Sequence, residues 1–412
     1  MSPAGLAAGG GWRAAARGSG LLGVGPDGSE QVAPTIFAEM SALAVRTGAI
    51  NLGQGFPDTD GPAWIARAAR DAIRAGHNQY PPGPGIPELR RAVAEHQRRH
   101  YDLPVDPDTE VLITTGATEA LAAALLALVG PGDEVITLEP FYDSYGGVIG
   151  LAGASHVPVG LLPSPDGFRL DVAALRAAAS PRTRLILVNT PHNPTGAVLD
   201  AAELAAIAQV ATDCDAIVLT DEVYEHLTYD DAVHVPLATL PGMADRTLTV
   251  SSAGKTFSFT GWKIGWIHGP AELITTVRTV KQFLTYVSGA PFQPAIAQAL
   301  VDDRSPRELA SSLAGRRDLL CAGLAAAGFA VTVPRGTYFV VADGAPLGFP
   351  DGVELCRRLP ELAGVVAIPM TAFCREGSAS HAALRSSLRF TFVKRPEVLR
   401  QAVSQLGRLA SR

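Results

Sequence analysis

The chain has 412 residues, enough for two domains sharing a large interior and too many for one small core. Hydrophobic residues make up 47% and charged residues 18%, the profile of a globular protein. A net charge of −6 argues against a broad nucleic-acid or anionic-membrane surface, so any phosphate bound here must be held by a local pocket.

Residues 1–30 are rich in Gly and Ala, carry Arg13 and Arg17, and contain no compact apolar h-region. Their composition predicts a disordered extension and not a signal peptide. From about Gln31 the composition becomes ordinary. Short apolar runs at Val111–Thr115, Glu134–Leu138, Leu185–Asn189, Ala216–Thr220, Leu248–Ser251 and Ile264–His268 alternate with helix-like stretches such as Glu119–Leu128, Val172–Ala179 and Ala201–Thr212. This pattern predicts a mostly parallel α/β sheet buried on both faces. After about Leu300 a long helix near Arg307–Ala327 precedes strand-like runs at Phe329–Val333, Tyr338–Ala342, Val365–Ile368 and Leu388–Val393. These predict a smaller α+β domain. The expected division is a large domain over 59–297, with 31–58 and 298–412 forming the small one. No apolar run reaches about 18 residues, so no membrane span is expected. The four cysteines (Cys214, Cys321, Cys356 and Cys374) form no CxxC pair. That argues against a disulfide framework or a zinc site, predicts no metal, and fits a reducing cytoplasm.

Five constellations carry chemistry, four of them at the end of a predicted strand, where open α/β sheets place ligands. In Ser251-Ser252-Ala253-Gly254-Lys255, small residues let a ligand approach a lysine at a strand end. A lysine is a nucleophile only when deprotonated, and Lys263, eight residues on, supplies a second positive charge that also suits a phosphate. In Asp221-Glu222-Val223-Tyr224, a buried acid wants a positive partner, such as a protonated pyridine nitrogen, and Tyr224 is placed to reach a ring oxygen. In Asn189–Gly196, two prolines and a glycine aim Asn193, whose amide can donate to a phenolate. In Thr114–Ala120, a strand passes into an Ala/Leu helix whose N-terminus suits one phosphate monoester; neither a P-loop nor GxGxxG is present. Arg389, in a strand with no acid within six positions, suits a carboxylate. Each motif has an ordinary structural reading by itself: a Gly-rich turn, a helix N-cap, a bare turn or a solvated strand charge. Their coincidence is the specific signal.

In this order the residues resemble the class I/II aminotransferases of fold type I, which use pyridoxal 5′-phosphate (PLP), and the resemblance runs from about Pro34 to the C-terminus. It implies that Lys255 tethers the cofactor and moves the proton at the substrate Cα. Asp221 would hold the pyridinium nitrogen, with Asn193 and Tyr224 on the ring oxygen. Ala117, Thr118, Ser252 and Lys263 would hold the phosphate, and Arg389 the substrate α-carboxylate. Tyr142 would stack on the ring, with its neighbour Phe141 as a substitute. Tyr80 would reach the partner's phosphate in a homodimer with shared active sites.

Within the superfamily, Asn51–Asp58 resembles the kynurenine/glutamine transaminase and methionine aminotransferase branch. Phe37–Leu43, Asn78–Gly85 and Gly289–Pro294 are similar to the bacterial N-succinyldiaminopimelate aminotransferase type. The resemblance implies a cytoplasmic enzyme of lysine biosynthesis, exchanging an amino group between an amino acid, glutamate among the donors, and a keto acid. Gly55 would line the substrate pocket through its backbone, and Asn193 would face the substrate. Phe259, Phe283 and Tyr286 are candidates for an aromatic pocket. Two rivals share this fold: a cysteine-S-conjugate β-lyase and a PLP-domain regulator, the latter disfavoured because only about 30 residues precede the match. A serine hydrolase built on Ser252-x-x-Lys255 lacks the SDN and KTG motifs that would complete it.

Overall fold

The strands of the central sheet are apolar on both sides because helices cover both of its faces. In β8 (Thr183–Asn189), Leu185 and Leu187 join the core on one face, while Ile186 and Val188 join that on the other. The protein is described by a computed structural model over residues 11–24 and 30–409.

Two short strands, β1 (Leu22–Val24) and β2 (Glu30–Val32), pair near the N-terminus, and β3 (Ile50–Asn51) follows. The central sheet is built from β4 (Val111–Thr115), β5 (Glu134–Glu139), β6 (Ser155–Ser164), β7 (Gly167–Leu170), β8, β9 (Ile217–Asp221), β10 (Thr247–Ser252) and β11 (Ile264–His268). Its order is β4-β11-β10-β9-β8-β5-β6-β7. The β10-β9-β8-β5-β6 run is parallel, whereas β11 lies antiparallel between β4 and β10, and β7 is an antiparallel edge. The β6–β7 hairpin is absent from the predicted elements; exposed and half-exposed residues interrupt its apolar pattern.

The C-terminal region adds β12 (Ala330–Thr332), β13 (Phe339–Asp343), β14 (Val365–Val366), β15 (Ile368–Pro369) and β16 (Ser387–Thr391), after a helix over Arg304–Ala326. A four-stranded sheet runs β12-β13-β16-β15. The run read as one strand, Val365–Ile368, is in fact two. Val365 and Val366 pair with Ile50 and Asn51 of β3, while Ile368 and Pro369 pair with β16. One apolar core passes without a break from Ile136 and Val188 of the central sheet to Val340, Leu388 and Phe390 of the smaller one. No helix among the described residues is long and apolar enough to cross a membrane.

The disordered extension expected for residues 1–30 is corrected over 11–24. Trp12–Gly18 is helical and packs against the helix Asp143–Ala152. Small residues permit backbone-to-backbone approach: a Cβ on Gly146 would lie 2.1 Å from the Gly18 carbonyl oxygen, and one on Gly150 would lie 2.4 Å from that of Ala14. Arg13 and Arg17 both pair with Glu30, at 2.9 and 2.8 Å. A Gly/Ala-rich composition, read as a lack of core-forming residues, here serves close helix packing. Residues 1–10 and 25–29 lie outside the described residues.

Candidate active site

The C-terminal ends of β4, β8, β9 and β10 open into one cleft of about 420 Å³. Gly116, Ala117 and Thr118 line it from the start of the helix Gly116–Leu128. Asn189 ends β8 with Asn193 in the turn beyond it, Asp221 ends β9 with Tyr224 beyond it, and Ser252 ends β10 with Lys255 beyond it. Tyr142 and Tyr145 come from the loop and helix after β5, Lys263 precedes β11, and Phe339 and Arg389 come from the smaller sheet. Eleven of the sequence-predicted site residues therefore converge: Gly55, Ala117, Thr118, Tyr142, Asn193, Asp221, Tyr224, Ser252, Lys255, Lys263 and Arg389.

Asp221 is buried and accepts a hydrogen bond from Tyr145 Oη at 2.6 Å. Burial raises its pKa above the ordinary carboxylate value, and the Tyr145 bond opposes that rise. A cation bound against it would offset the same burial cost. Asn189, on the strand beside it, donates to the Asp221 carbonyl oxygen at 2.7 Å and accepts from the Asn193 backbone N–H at 2.7 Å. One side chain thus sets the spacing between two of the motifs.

Arg389 is 3% exposed and makes no ion pair among the described residues. It donates to Asn193 Oδ1 at 3.0 Å and to the Gly53 carbonyl oxygen at 2.9 Å, while its Nε has no partner. Its guanidinium lies 4.1 Å from the Phe339 ring centre, 4.7 Å from Phe373 and 5.5 Å from Phe37. Burial pushes its pKa down to about 10, so it remains charged at neutral pH. An apolar cage around a cation that no carboxylate pairs with among the described residues, Asp143 acting on it only at longer range, suits a ligand carboxylate.

Lys255 Nζ lies 5.9 Å from the Tyr224 ring centre and 5.6 Å from that of Tyr338, and Tyr338 donates to the Gly55 carbonyl oxygen at 2.7 Å. Tyr224 is itself buried, which raises its pKa. At the other end of the cleft, Lys263 Nζ is 3.5 Å from Thr118 Oγ1, and a Cβ placed on Gly116 would come within 3.4 Å of that Nζ. Gly116 adopts φ +70°, so the turn into the helix both needs a glycine and brings the helix N-terminus to the lysine. Exposed backbone N–H groups beside an ammonium suit a phosphate monoester.

Of the two neighbouring aromatics, Tyr142 lines the cleft, whereas Phe141 turns inward and packs edge-on against His156 at 4.7 Å. Burial, then the nearby Asp143, raises the Tyr142 pKa to about 12. The aromatic-pocket candidates are corrected: Phe259, Phe283 and Tyr286 do not line this cleft. Phe259 stacks on Trp262 at 4.0 Å, while Phe283 and Tyr286 lie exposed. Phe37, Phe56 and Phe339 line it instead; Phe37 and Phe56 belong to the family-like stretches Phe37–Leu43 and Asn51–Asp58, and Phe339 to the strand-like run Tyr338–Ala342. Tyr80 also stays outside; it is 81% exposed and meets the Tyr286 ring at 5.6 Å. Tyr145 is absent from the sequence reading as well; its place three residues after Tyr142, on the same helix face, is a signal that could have found it.

A family model for aminotransferases of class I and II matches residues 47–406. The chain belongs to that family. It is 58% identical to a probable N-succinyldiaminopimelate aminotransferase of Mycobacterium tuberculosis, over 92% of this chain and 97% of that protein. The solved structure of the N-succinyldiaminopimelate aminotransferase from that organism superposes with a TM-score of 0.89, over 92% of this chain and 97% of the other. An Escherichia coli methionine aminotransferase is 38% identical over 92% and 97% of the two chains. A Mus musculus kynurenine–oxoglutarate transaminase is 37% identical over 88% and 85%. This aminotransferase therefore has the fold-type I PLP-transferase architecture, and PLP is the cofactor of its family. The buried Asp221 without a full counter-charge, the Gly116–Lys263 cradle and the unpartnered Nε of Arg389 fit that cofactor and an amino-acid substrate.

Proposed function

We propose that this aminotransferase exchanges an amino group between N-succinyl-LL-2,6-diaminopimelate and 2-oxoglutarate, with glutamate as the partner amino acid. The observation that carries transamination is the pairing, in one cleft, of Lys255 with a buried arginine that lacks an acidic partner. The likeness to the Mycobacterium tuberculosis protein supports the substrate. The reading places the enzyme in the cytoplasm and in lysine biosynthesis.

PLP, when bound, supplies an electron sink for the negative charge left on the substrate Cα. Asp221 would hold the pyridine nitrogen protonated, and Tyr145 would keep that carboxylate aimed. Asn193 and Tyr224 would hold the ring oxygen, while Tyr142 would cover a ring face. Ala117, Thr118, Ser252 and Lys263 would hold the phosphate. Lys255 would tether the cofactor and then carry the proton to and from the substrate Cα. Arg389 would fix the α-carboxylate, orienting the Cα–H bond, with Asn193 and the Gly55 backbone beside the substrate.

We also propose a homodimer in which Tyr80 reaches the partner's phosphate. Its support is an exposed apolar patch of Tyr80, Phe283, Leu284 and Tyr286, which one chain leaves uncovered.

The test is a donor panel with 2-oxoglutarate as acceptor. N-succinyl-LL-2,6-diaminopimelate should exceed methionine, kynurenine and glutamine in kcat/KM by at least about tenfold. A higher value for one of those three would overturn the substrate. Pyruvate and ammonia released faster from a cysteine S-conjugate, without a keto acid, would show the β-lyase to be the main activity.

A further inference from the structure

A second group of chemically capable side chains lies outside the cleft. His96 and His100 stand one turn apart on the helix Pro87–Tyr101, and His226 follows β9, two residues beyond Tyr224. Their ring centres are 4.5 Å apart for His96 and His100, 4.9 Å for His96 and His226, and 5.1 Å for His100 and His226. One nitrogen from each ring lies within 4.8 Å of those of the other two. Three nitrogens on a tetrahedral zinc ion stand about 3.3 Å apart, as bonds of about 2.0–2.1 Å require. His96 is buried, His226 is half-buried and His100 is exposed, so the group has a closed end and an entrance.

The surroundings are those of a ligand set rather than of three packed rings. His96 Nε2 and His226 Nε2 are 2.8 Å apart, so one donates its hydrogen to the other's lone pair; an ion would replace that shared hydrogen and take a lone pair from each ring. Gln97 lies against the other nitrogen of His96, with its Nε2 3.2 Å from Nδ1, and its own Oε1 is buried without a partner. A half-turn of that amide would present Oε1 to an Nδ1–H, the outer hydrogen bond that a metal-bound histidine uses. His100 has a carboxylate partner of the same kind, Asp303 Oδ1 at 3.1 Å. Glu225, the residue before His226, is buried, and its hydrogen bonds come from neutral hydroxyls, Ser251 at 2.5 Å and Tyr101 at 2.8 Å. A divalent cation beside it would supply the counter-charge that a buried carboxylate wants.

We propose that His96, His100 and His226 bind a transition-metal ion of the Zn²⁺ class, with water completing the coordination on the exposed His100 side. Three imidazoles favour such ions over Mg²⁺ or Ca²⁺, which take oxygen ligands. The ion would tie the helix Pro87–Tyr101 to the segment after β9 that carries His226, a structural link outside the catalytic machinery.

The test uses tag-free, PLP-loaded enzyme stripped of metals with a chelator. Calorimetric titration should show one saturable Zn²⁺ site per chain and no heat with Mg²⁺. Co²⁺ should give visible ligand-field bands to the red of the cofactor's absorption. His100→Ala should weaken Zn²⁺ binding by at least about tenfold and abolish the Co²⁺ bands while transamination continues unchanged. His226→Asn should show the same loss of binding; if it fails to fold, the exposed His100→Ala alone decides. Wild-type enzyme with no saturable Zn²⁺ binding, or a His100→Ala variant that binds Zn²⁺ as well as wild type, would overturn the proposal.

Discussion

Tyr145 donates a 2.6 Å hydrogen bond to Asp221 with both side chains buried, so the acid at the floor of the cleft is held by a residue from a different strand–helix unit. A hydrogen bond to a charged group contributes about 1.5–3 kcal/mol. If the bond matters only once the carboxylate has its cation, Tyr145→Phe should lower kcat about 10–100-fold and leave the fold intact. Steady-state rates beside a thermal melt would check this; an unchanged kcat would remove Tyr145 from the site.

Burial raises the Asp221 pKa, which gives the cofactor-free enzyme a definite pH dependence. A folded-state pKa above the unfolded value contributes stability that is complete below the unfolded pKa and lost as pH rises through the folded one. Cofactor-free enzyme should therefore lose stability as pH climbs from about 4. A cation bound at Asp221 cancels that loss, so the gap in Tm between loaded and cofactor-free enzyme should widen over the same range. Asp221→Asn should flatten the cofactor-free profile; an identical profile in that variant would show that another group is responsible.

Arg389 has a buried, fully caged guanidinium. Lysine cannot reproduce its two-pronged grip, so Arg389→Lys should raise KM for amino acids and lower kcat/KM by about 100-fold or more. An amine that lacks the α-carboxylate should lose much less. Equal losses for both would indicate a structural role instead.

Lys255→Ala should remove the covalent link to PLP. Borohydride treatment followed by unfolding should leave the cofactor on the wild-type chain and release it from the variant. Transamination should fall by several orders of magnitude, because the tether and the proton carrier are lost together. Retained covalent label in Lys255→Ala would point to Lys263 or another amine.

Gly146 accepts the Trp12–Gly18 helix at backbone contact. Gly146→Val should cost about 1–3 kcal/mol through overpacking and, by loosening the helix, open the peptide bonds after Arg13 and Arg17 to trypsin. A melt and a timed digest would report both effects; wild-type resistance to cleavage would show that the helix docks by other contacts.

Much of the fold and site was legible because both are written locally. Strand β11 was predicted residue for residue, Ile264–His268, since a fully buried strand leaves a short, largely apolar run closed off by turn residues such as Gly269-Pro270. The β6–β7 hairpin escaped because its residues alternate in exposure near an edge, which blurs the pattern. The Trp12–Gly18 helix escaped because Gly and Ala signal either disorder or close backbone packing, and only the surface opposite them distinguishes the two.

The sequence by itself determined the chemistry: strand ends carrying Asn193, Asp221 and Lys255, a helix start at Gly116, and a family that uses these in a known order. Each motif is a few consecutive residues whose local geometry aims one side chain, so no distant contact is needed to recognise it. Only the tertiary structure decided which residues support those side chains. Asn189 holding Asn193 was hidden inside a motif, while Tyr145 under Asp221, Phe339 and Phe373 around Arg389, and His226 beside His96 come from separate elements. Such pairings depend on where packed helices and strands cross, and hydrophobic burial, being non-directional, leaves no mark of those crossings in the order of residues.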